Sequence, residues 1–162
     1  MRYGWQEHAM SFEKIPPGSR GRPPMSSNAV TRVVTRVMER VHRWQSDRFQ
    51  GMDLLYLTTI GAKSGQRRRV TVSRFPDEDG WLVVASMGGS SQHPAWYHNI
   101  AAHPDQVWAE VGGRTFRVQV EQLDGDRRDA AWKRITTEQP RYLEYAAKTD
   151  RLIPILKLRH AA

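Results

Sequence analysis

The chain has 162 residues, which is the size of one domain built around a single core. Its 39% hydrophobic and 26% charged residues exclude a fully disordered protein, and the absence of cysteine excludes disulfides, thiolate metal sites and a cysteine nucleophile. The net charge of +8 belongs to one half of the chain, because residues 1–74 carry 14 Lys and Arg against 5 Asp and Glu, whereas residues 75–162 carry 11 against 12.

The first predicted elements are a tail and a basic helix. Residues 1–28 are rich in Pro, Gly, Ser and Arg and show no apolar period, which predicts a flexible tail. From Ala29 to Phe49, apolar residues recur at helical spacing and arginines face the other way, which predicts an amphipathic helix. This helix either packs on the domain with a solvated arginine face or makes a peripheral contact with the inner face of the cell membrane.

A meander of short strands follows the helix. Alternating or continuous apolar runs predict strands over residues 53–59, 70–75, 81–86, 106–111, 115–123 and 153–158. Turns are predicted at residues 61–65 and 76–80 and at the hairpin dipeptide Gly112-Gly113. Helices are predicted over residues 93–100 and 126–138, followed by a short aromatic segment at 142–148. Short strands with inserted helices indicate an α+β fold with a closed or nearly closed barrel.

The turn from Gly61 to Gly65 opens the first candidate site. Glycine lets the backbone approach an anion closely, and Lys63 and Ser64 supply a charge and a hydroxyl donor. Five basic residues and no acid lie between Lys63 and Arg74, and the arginine fork matches phosphate or carboxylate. The spacing is not that of a P-loop. The turn is therefore either an anion site or a solvated basic hairpin.

A second candidate site combines the stretch 84–89 with the helix predicted at 93–100. A strand that ends in Gly-Gly before a helix N-terminus exposes unpaired backbone N–H groups. Trp96 and Tyr97 offer flat apolar surface, although Trp96 also suits a core and Asn99 a hydrogen bond at a helix end. The nearby histidines recur every five residues, which does not place two on one helical face, so no metal site is predicted.

Six motifs in order resemble the deazaflavin (coenzyme F420)-dependent nitroreductase family, and together they cover about residues 30–158. They are Leu54-Leu55-Tyr56-Leu57-Thr58-Thr59 running into Gly61-x-Lys63-Ser64-Gly65; Arg69-Val70-Thr71; Ala85-Ser86-x-Gly88-Gly89; His93-Pro94-Ala95-Trp96-Tyr97-x-Asn99; Pro140-x-Tyr142-x-x-Tyr145; and Thr149-Asp150-Arg151-x-Ile153-Pro154.

The resemblance implies one α+β domain over residues 29–162, a split β-barrel like the FMN-binding antiparallel barrels, with an N-terminal amphipathic helix and peripheral helices. It implies an oxidoreductase that passes a hydride from reduced coenzyme F420, an 8-hydroxy-5-deazaflavin, to an activated alkene, a quinone or a nitro compound. The alternative is a split-barrel protein that binds FMN or sequesters a cofactor without this turnover.

The resemblance also implies roles for individual residues. Catalytic roles fall to Ser86, Tyr142 and Tyr145. Contacts with the cofactor fall to Lys63, Ser64, Arg68, Arg69, Val70, Thr71, Val84, Ala85, Ser86, Met87, Ala95, Trp96, Tyr97 and Asn99. Replacing Arg69 with alanine is expected to weaken cofactor binding by about 1.5–3 kcal/mol, the scale of a charged hydrogen bond.

Three departures from the family pattern fall inside the site. Ala62 stands where the family commonly has Arg, Arg67-Arg68 with one extra residue replaces a run containing Pro, and Met87 stands where some relatives have Lys. The expected partners are a small-molecule hydride acceptor and no nucleic acid, with the chain a monomer or homodimer. The expected location is the cytoplasm, because no apolar run reaches the roughly 20 residues that span a bilayer.

Overall fold

The computed structural model describes residues 13–23, residues 51–161 and, between them, Val34, Val37, Met38, Arg40, Arg48 and Phe49. The strands are β1 (Arg48–Phe49), β2 (Met52–Ile60), β3 (Arg67–Ser73), β4 (Phe75–Asp77), β5 (Gly80–Val84), β6 (Trp108–Val111), β7 (Arg114–Gln122) and β8 (Ile155–His160). The helices in the range 51–161 are α1 (Ala95–Ala102), α2 (Gly125–Glu138) and α3 (Arg141–Lys148), and a 3₁₀ turn spans Met87–Gly89.

The eight strands form one antiparallel sheet that curls into a barrel. The strand order is β1-β2-β6-β7-β8-β5-β4, and β3 also pairs with β2. The chain bends at Arg74, so that β3 before the bend pairs with β2 and β4 after the bend pairs with β5. One bent segment therefore joins the two ends of the sheet and leaves a split between β3 and β5. This is the α+β split barrel that the sequence predicted.

Two apolar cores hold the barrel together. The larger core fills its interior with side chains from β2, β5, β8 and α1, of which Leu55, Leu57, Val83 and Ile100 are fully buried. A second core lies where α2 and α3 cover the sheet and includes Phe75, Leu82, Ile135, Tyr142 and Ile153. Burying one such side chain contributes about 1.5–3 kcal/mol, so these clusters set the positions of the elements that surround the site.

The predicted hairpin between β6 and β7 is confirmed. Gly112 and Gly113 have φ of 58° and 76°, and Val111 pairs with Arg114 across them. A two-residue turn with both residues in the left-handed region matches the twist of the flanking strands, and glycine adopts that conformation without strain.

Two elements differ from the sequence prediction. The predicted turn 76–80 begins with strand β4, because Phe75 is buried in the second core and Pro76 is tolerated on a strand at the end of the sheet. The aromatic segment at 142–148 is helix α3, which begins after Pro140 and turns Tyr142 inward. Tertiary packing decides both cases.

Residues 13–23, here called the strap, are hydrogen-bonded to the rest of the chain, which differs from the predicted flexible tail. The Gly18 N–H donates to the Ser91 carbonyl at 2.8 Å, and the Arg22 N–H donates to the Gly89 carbonyl at 3.0 Å. Asp150 accepts the Arg20 N–H at 2.8 Å. The prediction failed here because long-range partners, and not a local apolar period, order this stretch.

The predicted amphipathic helix from Ala29 to Phe49 lies mostly outside the described residues. Val34, Val37, Met38 and Arg40 are described as helical, and all four are exposed. Phe49, its last residue, belongs to β1. Among the described residues, no helix is both long enough and apolar enough to cross a bilayer.

Candidate functional site

A large open cavity follows the split between β3 and β5. Its volume is about 1860 Å³. Residues 67–73 of β3 line one side, the end of β5 and the 3₁₀ turn form the floor, and α1 and α3 complete the wall. Single-ligand pockets commonly have about 300–1000 Å³, so this cavity has room for two ligands side by side.

Positive charge is the main chemical feature of the cavity lining. Of the described residues that line it, six are Lys or Arg and none is Asp or Glu; the six are Lys14, Lys63, Arg67, Arg68, Arg69 and Arg141. Cations grouped without carboxylates repel one another unless an anion joins them. Such a lining favours an anionic ligand.

The turn between β2 and β3 presents part of this charge. Gly61 and Gly65 close the turn through a 2.9 Å backbone hydrogen bond, and Lys63 and Ser64 are exposed at its tip. The Arg68 guanidinium lies 3.4 Å from the Ser64 hydroxyl oxygen, to which it donates. Side chain and turn together form a small group of donors at the mouth of the cavity.

Arg69 faces away from Arg68, because neighbouring side chains of a strand point to opposite sides of the sheet. Its guanidinium lies 3.0 Å from the Glu110 carboxylate and stacks 4.7 Å above the Tyr56 ring. Arg69 still borders the cavity, but Glu110 already neutralises much of its charge. The sequence assigned the two arginines the same role, whereas the fold gives Arg68 the freer charge.

Asn99 fastens the turn to helix α1. Its amide nitrogen donates to the Thr59 hydroxyl at 3.1 Å, and its amide oxygen accepts the Ala62 N–H at 2.9 Å. The side chain is 8% exposed, so both ends of the amide are used inside the protein. Asn99 lines the cavity and also sets where the basic turn begins.

The floor of the cavity has an unusual backbone. Met87, Gly88 and Gly89 have φ of 45°, 61° and 83° in succession. A methionine in the left-handed region costs of order 1–3 kcal/mol, so the surrounding structure must hold it there. A Cβ on Gly89 would lie 2.5 Å from the Tyr145 carbonyl oxygen, which explains the glycine where α3 packs on the floor.

A buried arginine holds this floor from behind. The Arg151 guanidinium donates to the carbonyl oxygens of Ala85, Ser86 and Ser90 at 3.0, 2.8 and 2.9 Å. Burial lowers the pKa of Arg151, yet a guanidinium stays protonated in proteins. A fixed positive charge therefore lies directly beneath the Ser86 backbone.

His93 links this arginine to the strap. Arg151 donates to Nδ1 of His93 at 2.8 Å, so the proton of the neutral ring is on Nε2, which donates to the Ile15 carbonyl at 2.6 Å. Burial lowers the pKa of His93, and the Arg151 charge lowers it further. The ring is therefore a neutral connector.

Tyrosines from α3 form part of the cavity wall. The Tyr142 and Tyr145 rings meet edge to face with centroids 5.6 Å apart. Burial raises the pKa of Tyr142, and a hydrogen bond with Ser73 partly offsets that rise. Tyr142 is fixed in the second core, whereas Tyr145 is half-buried at the cavity wall.

Fourteen of the sixteen residues predicted for the site line the cavity: Lys63, Ser64, Arg68, Arg69, Val70, Thr71, Val84, Ser86, Met87, Ala95, Trp96, Asn99, Tyr142 and Tyr145. Ala85 and Tyr97 do not, since both are buried in the main core. The Tyr97 hydroxyl instead donates to Gln122 at 2.6 Å and accepts the Ile15 N–H at 2.9 Å.

Sequence reasoning missed several lining residues, among them Lys14, Thr59, His98 and Arg141. Arg141 adjoins the tyrosine motif and could have been found from its neighbour. Lys14 could not, because it lies in a Pro- and Gly-rich stretch without any periodic signal.

Comparisons with known proteins agree on one group. The sequence profile of the family described as F420H(2)-dependent quinone reductase matches residues 30–159. The chain is 37% identical over 107 residues to an F420H(2)-dependent quinone reductase of Mycobacterium tuberculosis, in an alignment that covers 64% of this chain and 71% of that protein.

Solved structures give the same result. An F420-H2 dependent reductase, FDR-A, matches with a TM-score of 0.59 and 37% identity, covering 65% of this chain and 93% of that one. A domain-swapped dimer matches with a TM-score of 0.60 and 32% identity, covering 82% of this chain and 100% of that one.

Proposed function

The chain belongs to the F420H(2)-dependent quinone reductase family, and from this membership we propose that its cavity holds reduced coenzyme F420 beside a small electron-poor acceptor. The protein is an F420-dependent oxidoreductase. The observation that carries the proposed placement is the group of six cations, with no carboxylate among the described lining residues, on a cavity large enough for two ligands.

The donor set fits the charged end of the cofactor. The phosphate and oligoglutamate tail of F420 are multiply anionic, and Lys63, Ser64 and Arg68 offer two exposed charges and a hydroxyl at the mouth of the cavity. Arg69 adds to the field while paired with Glu110. Charge-assisted hydrogen bonds to phosphate and carboxylate are the strongest that side chains make, which supports placing the tail here.

The inner part of the cavity fits a flat ring. Val84, Ser86 and Met87 form a narrow floor, and Ala95 and Trp96 stand at the start of α1 beside it. Since Arg151 pins the floor through three carbonyl oxygens, the ring would meet a rigid surface. Val70 and Thr71 of β3 also line the cavity.

When bound, the reduced deazaflavin supplies the hydride that an electron-poor acceptor receives. The chain's own residues position the two ligands and exclude water between them. The Ser86 and Tyr145 hydroxyls border the space next to the floor and can orient a carbonyl of the acceptor. Tyr142 keeps its proton at neutral pH, because burial raises its pKa, and it closes the apolar end.

The proposed function is tested by titrating the purified protein with F420 while following cofactor fluorescence, and then by oxidising the reduced cofactor with menadione. We expect binding at micromolar concentrations or tighter and oxidation that depends on the protein. A matched titration with FMN separates the alternative. Binding of FMN without binding of F420, or F420 binding without oxidation by quinones or nitroarenes, would contradict the proposal.

We also propose that the 29–49 segment contacts an anionic membrane, where quinones dissolve. Val34, Val37 and Met38 are exposed apolar side chains, and Arg40 is an exposed cation near them. Apolar contact joined to attraction by anionic lipid is how interfacial helices bind. Sedimentation with vesicles containing 30% phosphatidylglycerol should retain the protein, and replacing Val34 and Val37 with Asp should release it; equal retention would exclude this contact.

A further inference from the structure

The strap occupies a fitted seat on the body of the protein. Four backbone positions anchor it: Gln122 donates to the Glu13 carbonyl at 3.0 Å, the Ile15 N–H donates to the Tyr97 hydroxyl, the Gly18 N–H donates to Ser91, and Arg22 donates to Gly89. At the far end, the Thr149 hydroxyl donates to the Arg20 carbonyl at 2.7 Å. A stretch held at so many points has a defined position.

Glycine is required at Gly21 in this seat. A Cβ on Gly21 would lie 2.3 Å from the Ser91 backbone nitrogen, 2.7 Å from the Ser90 carbonyl carbon and 2.9 Å from the Gly89 carbonyl oxygen. Contacts this short with backbone atoms force the two segments apart. The strap therefore lies in a groove that is shaped for glycine at this position.

The anchors place one charged side chain at the cavity. Lys14 lies between Glu13 and Ile15, whose backbones are both held, and its side chain lines the cavity beside His98. The Lys14 charge lowers the pKa of His98 after burial has done so, which agrees with their closeness. Among the described residues, Lys14 has no ion-pair partner.

We propose that Lys14, delivered by the strap, is an anion-binding residue of the cofactor site and contacts the phosphate or a tail carboxylate of F420. The assignment rests on the proposed function. Lys63 and Arg68 approach the cavity from the β2–β3 turn and β3, whereas Lys14 approaches it from the α1 side. A chain of negative charges entering between them is held from both sides.

Titration of full-length variants tests the assignment. Lys14→Ala should weaken F420 binding roughly tenfold, the effect of one charge-assisted hydrogen bond, while Lys14→Arg should stay within about threefold of wild type. Lys133→Ala is the matched control, since Lys133 is exposed on α2 and does not line the cavity. It should bind F420 as the wild type does.

Three ligands distinguish the atoms that Lys14 contacts: F420 with its oligoglutamate tail, the form that ends at the phosphate-linked lactate, and the deazaflavin with its ribityl chain alone. A loss for the first ligand only assigns Lys14 to the tail, and a loss for the first two assigns it to the phosphate. An equal loss for all three, or no loss for any, would overturn the assignment.

A second variant tests delivery by the strap without changing charge. Gly21→Val should displace the strap and weaken F420 binding to the level of Lys14→Ala, and the double variant should lose no more than either. Wild-type affinity in Gly21→Val, with the thermal transition retained, would overturn the role of the strap. If wild-type protein fails to bind F420, the proposed function falls with it; if wild type binds and Lys14→Ala binds equally, only this assignment falls.

Discussion

Arg68 and Arg69 show how adjacent residues with the same chemistry acquire different roles. The β2–β3 register pairs Arg68 with Thr59, which lines the cavity, and Arg69 with Thr58 on the other face. Arg69 reaches Glu110 from there, whereas Arg68 donates only to a neutral hydroxyl among the described residues. The cost of removing each side chain should therefore differ.

Arg68→Ala should weaken F420 binding by about 1.5–3 kcal/mol, because it removes a charge that an anion can use fully. Arg69→Ala, expected from the sequence to have that effect, should cost less than about 1 kcal/mol, since the Glu110 carboxylate already neutralises much of the Arg69 charge before the ligand binds. Fluorescence titration measures both, with exposed Arg114→Ala as the control. A larger loss for Arg69→Ala would contradict this order.

His93 should make stability depend on pH. The folded protein holds it neutral with a lowered pKa, whereas the unfolded chain binds a proton near pH 6.5. The contribution of His93 to the free energy of unfolding is thus fully present above about pH 6.5. It is lost as the pH falls through the lowered pKa that His93 has in the folded protein. Urea unfolding at pH 7.5 and 5.5 should show this loss, and His93→Gln should reduce it.

Asp79 and Glu121 titrate below the pH range in which His93 changes stability. Lowered pKa values at Asp79, chiefly from the Lys157 hydrogen bond, and at Glu121, chiefly from Arg127, mean that their contribution is lost only below about pH 4.5. His98, whose pKa burial lowers, acts in the same direction as His93. An unchanged pH slope in His93→Gln would show that His93 does not titrate in this way.

At the scale of elements, helix α1 fixes the position of the basic turn relative to the sheet. Its first turn lines the cavity, and Asn99 ties it to β2 and to the basic turn. Helix α3 performs the matching function on the opposite wall, because its close packing on the 3₁₀ turn needs Gly89. The cavity floor, formed by the end of β5 and the 3₁₀ turn, therefore lies between two helices that are both fixed to the sheet or to the floor.

Asn99→Ala should lower stability and release the basic turn from helix α1. It leaves the buried Thr59 hydroxyl and the Ala62 N–H without their partner, which costs about 1–3 kcal/mol in the free energy of unfolding, mostly from Thr59. Because the turn carrying Lys63 then moves more freely, the Kd for F420 should also rise several-fold. Urea unfolding and titration measure the two effects. A stability loss with unchanged Kd would show that Asn99 does not position the turn.

At the scale of the whole molecule, the excess of basic residues in the first half of the sequence corresponds to a basic surface in the structure. Basic residues of the first 74 positions, from the strap, the turn and β3, line one cavity and form a basic cluster there. Charges that face one cavity act together on an anion that enters it, most strongly at low salt.

F420 binding should weaken about tenfold or more between 50 and 500 mM NaCl, because salt screens the exposed members of the cluster. The deazaflavin without phosphate should bind with little change over that range. Lys63→Ala should flatten the salt dependence for F420. Salt-independent binding of F420 would mean that the ring, and not the charged tail, supplies the affinity.

The sequence by itself determined six of the eight described β-strands, the Gly112-Gly113 hairpin, the basic turn and half of the residues that line the cavity. Their signals are local: alternation of apolar residues, glycines at a turn, and motifs in which a few neighbours act together. For the same reason the family resemblance was correct, since its motifs are short runs in a fixed order.

Only the tertiary structure decided which of those residues turn toward the cavity. Tyr97 was expected at the cofactor and lies in the core, Arg69 spends its charge on Glu110, and Lys14 arrives from a stretch expected to be a tail. Each outcome depends on partners tens of residues away, which register, packing and long-range hydrogen bonds supply and which no local pattern records.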